Sequence, residues 1–355
     1  MTGIYLDIFK VFVPTLTAFV VGISLTPVLT HYLYKHKLWK KKAGKISPDG
    51  QATPVFDRLH KDKEVGTPRM GGVVIWSSVL ITITFFWLIS ILIPESDFWI
   101  KLNFLSRNQT WLPLFTLIVA SLLGLADDWL QVSSTNKTNE GLPFNYRLLV
   151  VGFLGLVGGW WFFAKLGMTE ISLPFFENNL YLGWLIIPLF IIIMLALFSS
   201  GVIDGLDGLS GGIMSIIFFT YAALAFFQTQ VNLATFCAVV GGAILAFLWF
   251  NIPPARFYMS ETGILGLTTA LTVVVFLTDS VLLLPIIALP LVVTSGSVVI
   301  QMLSKKMRHG KKIFKIAPLH HHFEAIGWPA YKVVMRYWLI GIIAAIIGLI
   351  LALIS

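Results

Sequence analysis

LLGLADDWLQ, residues 122–131, closes an apolar segment on two adjacent carboxylates, Asp127 and Asp128. A segment running outward to inward here places both acids at a helix C-terminus, where the helix dipole disfavours negative charge. Packing supplies no reason for the pair. The reason has to come from the polar groups that collect beside it, and finding those requires the path of the chain across the membrane.

The composition sets that path. The chain has 355 residues, is 57% hydrophobic and only 12% charged, with a mean hydropathy of +0.86. A soluble domain carries about twice that charged fraction. Apolar runs of roughly 20 residues recur along the whole chain, each long enough to cross a bilayer. The expected fold class is therefore all-α: a polytopic membrane protein, with residues 1–355 forming one integral-membrane domain. A transmembrane barrel would show short alternating segments instead. The single Cys237 lies inside an apolar run, which excludes a disulfide within the chain. MTGIYLDIFK lacks the basic start of a cleavable signal peptide, and its apolar run is too long for one.

Ten spans are predicted, at 9–34, 71–93, 111–126, 146–163, 184–200, 209–228, 232–250, 263–280, 281–303 and 337–354. Loops 35–70, 127–147, 251–262 and 304–336 then share one side and hold 21 of the 25 Lys and Arg residues. The positive-inside rule puts these loops in the cytoplasm and both termini outside. The charge of +8 thus follows membrane topology and does not indicate nucleic acid. KHKLWKKKAGK (35–45) reads as an anchor touching anionic lipid headgroups, with phosphate binding as the alternative. ISLPFFENNLYLGW (171–184) suits a small extramembrane hairpin on the outer side.

With that orientation, KEVGTPRMGG (63–72), the Asp127–Asp128 pair, SSGVIDGLDGLSGG (199–212), FNIPPARFYMSETG (250–263) and KIAPLHHHFEAIGWP (315–329) all fall on the cytoplasmic face. Each has a structural alternative. The paired acids could be solvated interface residues. Asp204 and Asp207 could form a polar turn capping the next helix, although that explains one acid and not both. The three histidines, His320, His321 and His322, suit phosphate contact, proton transfer or metal ligation. Adjacent side chains point apart, and the spaced His ligands of a zinc site are absent. GFLGLVGG (152–159) lies mid-membrane and reads as close helix packing through small residues. No internal repeat of the transporter kind is visible. Five acids on one face (Asp127, Asp128, Asp204, Asp207 and Glu261), with His, Lys and Arg around them, suit a hard cation bridging phosphates. The residues thus point to metal-dependent phosphoryl-type transfer at the inner membrane surface, with one substrate from lipid and one from water. They do not identify the substrates.

GTPRMGG, LGLADD, DGLDGLS, FNIPPARFYMSETG and especially FKIAPLHHHFEAIGWP resemble the motifs of the phospho-N-acetylmuramoyl-pentapeptide transferases, within the polyprenyl-phosphate N-acetylhexosamine-1-phosphate transferase superfamily. The similarity covers nearly the whole chain. It implies transfer of phospho-MurNAc-pentapeptide from UDP-MurNAc-pentapeptide to undecaprenyl phosphate, giving lipid I and UMP. It further implies a requirement for Mg²⁺, a place in the bacterial inner membrane and, commonly, a homodimer. Residue by residue, it implies catalytic roles for Asp127, Asp128, His320, His321 and His322. Lys63, Asp204, Gly205, Leu206, Asp207, Asn251 and Tyr258 become substrate contacts, and Glu261 the metal ligand.

The chain departs from the family pattern at several of these points. Glu261 stands in SETG where the family has Asp in GDTG. Arg69 replaces a Thr, Glu64 stands where a basic residue is common, and FSSGVIDGLDG lacks two asparagines and a Thr. Two further readings stay beside the first: a related transferase using UDP-GlcNAc or another UDP-sugar, and a non-catalytic membrane protein that binds lipid phosphate.

Overall fold

Nearly every element of the computed structural model is a helix, as hydrocarbon solvent requires: a helix satisfies its own N–H and C=O groups where no water can. The structure describes residues 3–41, 65–106, 108–133, 141–176 and 178–355. The long helices are α1 (Gly3–Lys35), α2 (Val73–Leu92), α4 (Trp111–Ser133), α5 (Phe144–Ala164), α6 (Ile186–Ser200), α7 (Leu209–Phe227), α8 (Val231–Asn251), α9 (Ser260–Leu277) and α13 (Ala330–Ile354). A short α3 (Asp97–Leu102) follows α2. Strands β1 (Glu170–Ile171) and β2 (Leu180–Tyr181) pair antiparallel, forming the small hairpin expected between α5 and α6.

Nine helices among the described residues are long and apolar enough to cross a membrane, one fewer than the ten spans predicted. The difference lies at 281–303. That stretch is two helices, α10 (Leu284–Ile287) and α11 (Leu289–Met307), each with a proline in its first turn. Pro290 lies in the first turn of α11, where its missing N–H costs nothing; α1 shows that a proline can also be carried inside a helix, at Pro14 and Pro27. Beyond Ser295 the segment also gathers Ser297, Gln301, Ser304, Lys305 and Lys306, which lower its hydropathy. The segment still runs between the two ends of the bundle. It begins beside Leu277 and Thr278, whose carbonyls accept from Gln230 and Gln228. Further on, Ser297 Oγ accepts from Leu319 N at 2.9 Å, next to the histidines.

Helices α7, α8 and α9 form the interior, where Phe218, Phe236, Phe247 and Phe276 are fully enclosed. At the periphery, α13 turns Leu339, Ile343, Ile346 and Ile350 outward at helical spacing. Its inner stripe of Gly341, Ala344, Ala345 and Gly348 is buried, with Gly341 against Ile213 and Gly348 against Ile287. The 152–159 stretch behaves the same way: Gly155, Gly158 and Gly159 lie on Ile191, Phe190 and Ile187 of α6. Without a hydrophobic drive between helices in lipid, such close backbone approach supplies the packing.

Helix α4 outruns its predicted span and ends at Ser133. Asp127 and Asp128 are therefore inside a helix and not at its C-terminus. Val132 continues the buried face, and Gln131 Nε2 bonds Asp127 Oδ2 one turn back at 2.8 Å. The antiparallel order brings the end of α4 together with the starts of α2, α5, α7 and α9 and the ends of α6 and α8.

Candidate active site

Two close backbone approaches set this site. A Cβ on Gly124 would collide with the backbone of Glu261, and one on Gly72 with the backbone of Gly263. Only hydrogen at both positions lets α4 and α2 close on the first turn of α9. Gly124 precedes Asp127 and Asp128 by one helical turn, so the same contact places both acids beside Glu261 and Thr262.

Asp128 is fully buried. Its Oδ2 accepts from Thr262 N at 2.9 Å and Thr262 Oγ1 at 2.6 Å. Its Oδ1 is buried with no hydrogen bond and lies 3.6 Å from Arg69 Nη1. Arg69 also donates to Gln131 Oε1. Asp127, equally buried, accepts from Leu142 N and Gln131 and lies 3.6 Å from Arg147 Nη1. That same nitrogen donates to Glu261 Oε1 at 2.6 Å. Three carboxyl groups thus share two guanidinium groups. A divalent cation entering the cluster would find oxygen donors beyond those the two arginines engage.

The DGLDG loop joins from the other side. Asp204 accepts from Ser210 Oγ at 2.6 Å and from Ser260 N at 3.0 Å, the residue before Glu261. Asp204 is also within electrostatic reach of Glu261. The neighbouring Gly205 lies under two imidazoles, where a Cβ would strike Nε2 of both His320 and His321. Both rings are buried on α12 (Leu319–Ala325) with centroids 4.2 Å apart. His321 Nδ1 pairs with Glu324 Oε2 at 2.7 Å, which fixes the ring and turns its other nitrogen toward Gly205. The loop before α12 is strapped to α11: Gln301 Oε1 accepts from Ile313 N and Phe314 N, both at 3.0 Å, and its Nε2 donates to Phe314 O.

The predicted residues divide into two groups. Asp127, Asp128, Glu261, Asp204, Gly205, His320 and His321 form one continuous run of contacts. Asp207, Leu206, Asn251, Tyr258 and His322 sit beside it with other partners. Asn251 is buried and clamps two loops, its Oδ1 accepting from Gly208 N and its Nδ2 donating to Phe257 O, both at 2.9 Å. Asp207 accepts from Ala255 N at 3.3 Å. Leu206 is buried, and the backbone of Tyr258 bonds Pro68 and Gly71. His322 Nδ1 accepts from Lys315 N, away from its two neighbours. The capping alternative for DGLDG is not realised: Gly208 precedes α7 with no side-chain cap bond. Lys63 lies outside the described residues. Sequence reasoning missed Arg147, Gln131, Thr262 and Glu324. Arg147 did leave a signal, as a cation in the first turn of α5, where the dipole disfavours it.

Among the described residues no group of three His, Cys, Asp or Glu side chains is placed to hold a metal alone. Mg²⁺ does not need one, since it takes one or two carboxylates and completes its shell with water and substrate phosphate. Hard oxygen donors in surplus, with Asp128 Oδ1 buried and lacking a hydrogen bond, fit such an ion.

A membrane bundle with clustered carboxylates and imidazoles at one end matches known proteins in two ways. Residues 110–279 match the model of glycosyl transferase family 4, which defines the class: a multi-pass membrane glycosyl transferase. Curated proteins named phospho-N-acetylmuramoyl-pentapeptide-transferase are similar over nearly the full length. The one from Listeria innocua is 33% identical over 333 residues, covering 93% of this chain and 94% of the relative. That of Anoxybacillus flavithermus is 35% identical over 334 residues, 94% of each chain. That of Chloroflexus aggregans is 32% identical over 349 residues, 95% of this chain and 88% of the relative. The chain belongs to the phospho-N-acetylmuramoyl-pentapeptide transferase family.

Proposed function

We propose that the protein transfers phospho-MurNAc-pentapeptide from UDP-MurNAc-pentapeptide to undecaprenyl phosphate, releasing UMP and forming lipid I. An oxygen of the acceptor phosphate bonds to the sugar-linked phosphorus of the nucleotide. The bond from that phosphorus to the bridging oxygen breaks, and the oxygen leaves with UMP. The observation that carries this reading is the contact run from Asp128 through Glu261 and Asp204 to His321, built from stretches nearly 200 positions apart.

Asp127 and Asp128 hold or orient the acceptor phosphate, and Arg147 and Arg69 lie beside them and position their carboxyl groups. Asp204 and Gly205 form the floor beneath the nucleotide. The imidazoles of His320 and His321 face the diphosphate, with Glu324 setting the His321 tautomer. Glu261, supported by Asp127 and Asp128, would hold Mg²⁺, which offsets diphosphate charge and polarises the phosphorus when bound. The site faces the cytoplasm of a bacterial inner membrane, with both termini outside, and residues 1–355 act as one unit that pairs with a second copy.

The substituted residues around the cluster, Glu261 and Arg69 among them, favour one competing reading: the same chemistry on another UDP-sugar. A radiolabelled-nucleotide assay decides. UMP release should require undecaprenyl phosphate and Mg²⁺ and should be suppressed by unlabelled UDP-MurNAc-pentapeptide more than by UDP-GlcNAc. The opposite order of competition would select the second sugar. No UMP release, with EDTA and Asp127→Asn both without effect, would leave only a lipid-phosphate-binding protein.

A further inference from the structure

A cavity of about 210 Å³ opens at the end of the bundle opposite the carboxylate cluster, lined by Ser106, Asn108, Gln109 and Asn232. Its walls come from two places far apart in sequence: the loop that leads into α4 and the first turn of α8. Ser106 Oγ, Gln109 Oε1 and Asn232 Oδ1 are all buried, and none has a hydrogen-bond partner among the described residues. A buried oxygen left unpaired is costly. Here three are left unpaired around one cavity.

The walls themselves are well bonded. Thr110 Oγ1 accepts from Ser106 N at 2.6 Å, Leu105 N donates to Asn103 Oδ1 at 3.0 Å, and Asn103 Nδ2 donates to Ser90 Oγ of α2 at 3.1 Å. On the other side, Gln230 Nε2 donates to Leu277 O at 3.0 Å, which fixes the start of α8 two residues before Asn232. The three oxygens are thus set on braced backbone with nothing to accept from.

What they lack is donors. Water supplies donors, but one or two molecules satisfy three oxygens, and by liquid volume the cavity has room for about seven. An ammonium also supplies donors, yet no carboxylate among the described residues lines the cavity to offset its charge. Adjacent hydroxyls meet both conditions. Each donates and accepts, so a pair of them serves the Ser hydroxyl and either side of an Asn or Gln amide.

We propose that this cavity is a saccharide site, taking a pyranose or polyol through adjacent hydroxyls held by Ser106, Gln109 and Asn232. It stands apart from the transfer chemistry, since α4 and α8 run from it toward Asp127 and Asn251 at their other ends. The ligand enters from that surface, as a free saccharide or as the sugar head of a glycolipid.

The test uses the full chain in nanodiscs. Saturation-transfer magnetic resonance with N-acetylglucosamine, methyl glucoside and glycerol covers the free source. Nanodiscs containing a glucosyl diacylglycerol, read by melting temperature, cover the lipid source. Binding from either supports the proposal and identifies the source. Gln109→Leu and Asn232→Leu should each weaken that binding about tenfold. Each removes an unpaired buried oxygen, so without sugar both variants should melt no lower than the parent chain, and both should keep its rate of UMP release. Ser106→Ala, which deletes a single oxygen, repeats the test should a leucine variant fail to fold. No binding by any of these probes, with ordered water as the only occupant, would overturn the proposal. So would binding that survives all three substitutions.

Discussion

Asp279, just past the end of α9, and Asp128, inside the last turns of α4, lie at opposite ends of the bundle, and their surroundings differ in kind. Asp279 follows α9 and accepts from Ser172 N at 3.2 Å and from Ser172 Oγ, just after β1. It ties a turn to a hairpin, and one neighbouring residue satisfies it. Asp128 has a whole network: Thr262 twice, Arg69, and beyond them Gln131, Asp127, Arg147 and Glu261. Even so, one of its oxygens lacks a hydrogen bond. An acid placed for stability is paired off locally. An acid placed for chemistry sits among like charges with capacity left over, and the surrounding fold bears that cost.

The contrast breaks first if Asp128 proves dispensable. Asp128→Asn keeps the shape and removes the charge, and turnover should fall by on the order of 10²–10⁴-fold, measured as UMP release from protein that still melts cooperatively. Wild-type rates would make the carboxylate pair structural, like Asp279. Glu261 comes next. Glu261→Ala should abolish turnover and weaken Mn²⁺ binding, followed by paramagnetic resonance, while Glu261→Asp should keep a good part of both. Identical metal titrations in wild type and Glu261→Ala would remove Glu261 from the cation site.

Within the histidine cluster, His321→Asn should cost far more activity than His322→Asn, because only the first ring faces Gly205 and is set by Glu324. Equal losses would mean that the cluster acts as a unit. The smallest effect belongs to the other end of the bundle. Asp279→Ala should lower stability by about 1–3 kcal/mol and leave the specific activity of folded protein unchanged. A fall in kcat there would erase the distinction between the two ends.

Most of the bundle was legible because apolar runs of bilayer length leave a chain little choice but to be helical. Where hydropathy misjudged, a local rule had more weight. The 281–303 span breaks at Ala288 into α10 and α11, and the polar residues toward the end of α11 lower its hydropathy. Val132 and Gln131 carried α4 past the apolar run, because a helix ends where its packing ends and not where hydrophobicity falls. At the site, grouping the acids and histidines on one face included Asp127, Asp128, Asp204, Glu261, His320 and His321, which meet, and also Asp207 and His322, which have other partners. It could not show that Asn251 spends both ends of its amide on loop backbone, or that Arg147 bridges Asp127 and Glu261. Those contacts link residues up to 114 positions apart, and their partners are fixed by the fold.

The glycine seams carry a consequence for where this protein can work. With Gly124 against Glu261 and Gly72 against Gly263, the spacing between the acids of α4 and α9 is set by main chain on main chain. A bilayer thinner or thicker than the bundle is met by tilting of outer helices such as α1 and α13, at a modest cost per ångström. The seam does not stretch with them. Turnover should therefore tolerate changes in acyl-chain length that visibly reorient the lipid-facing helices.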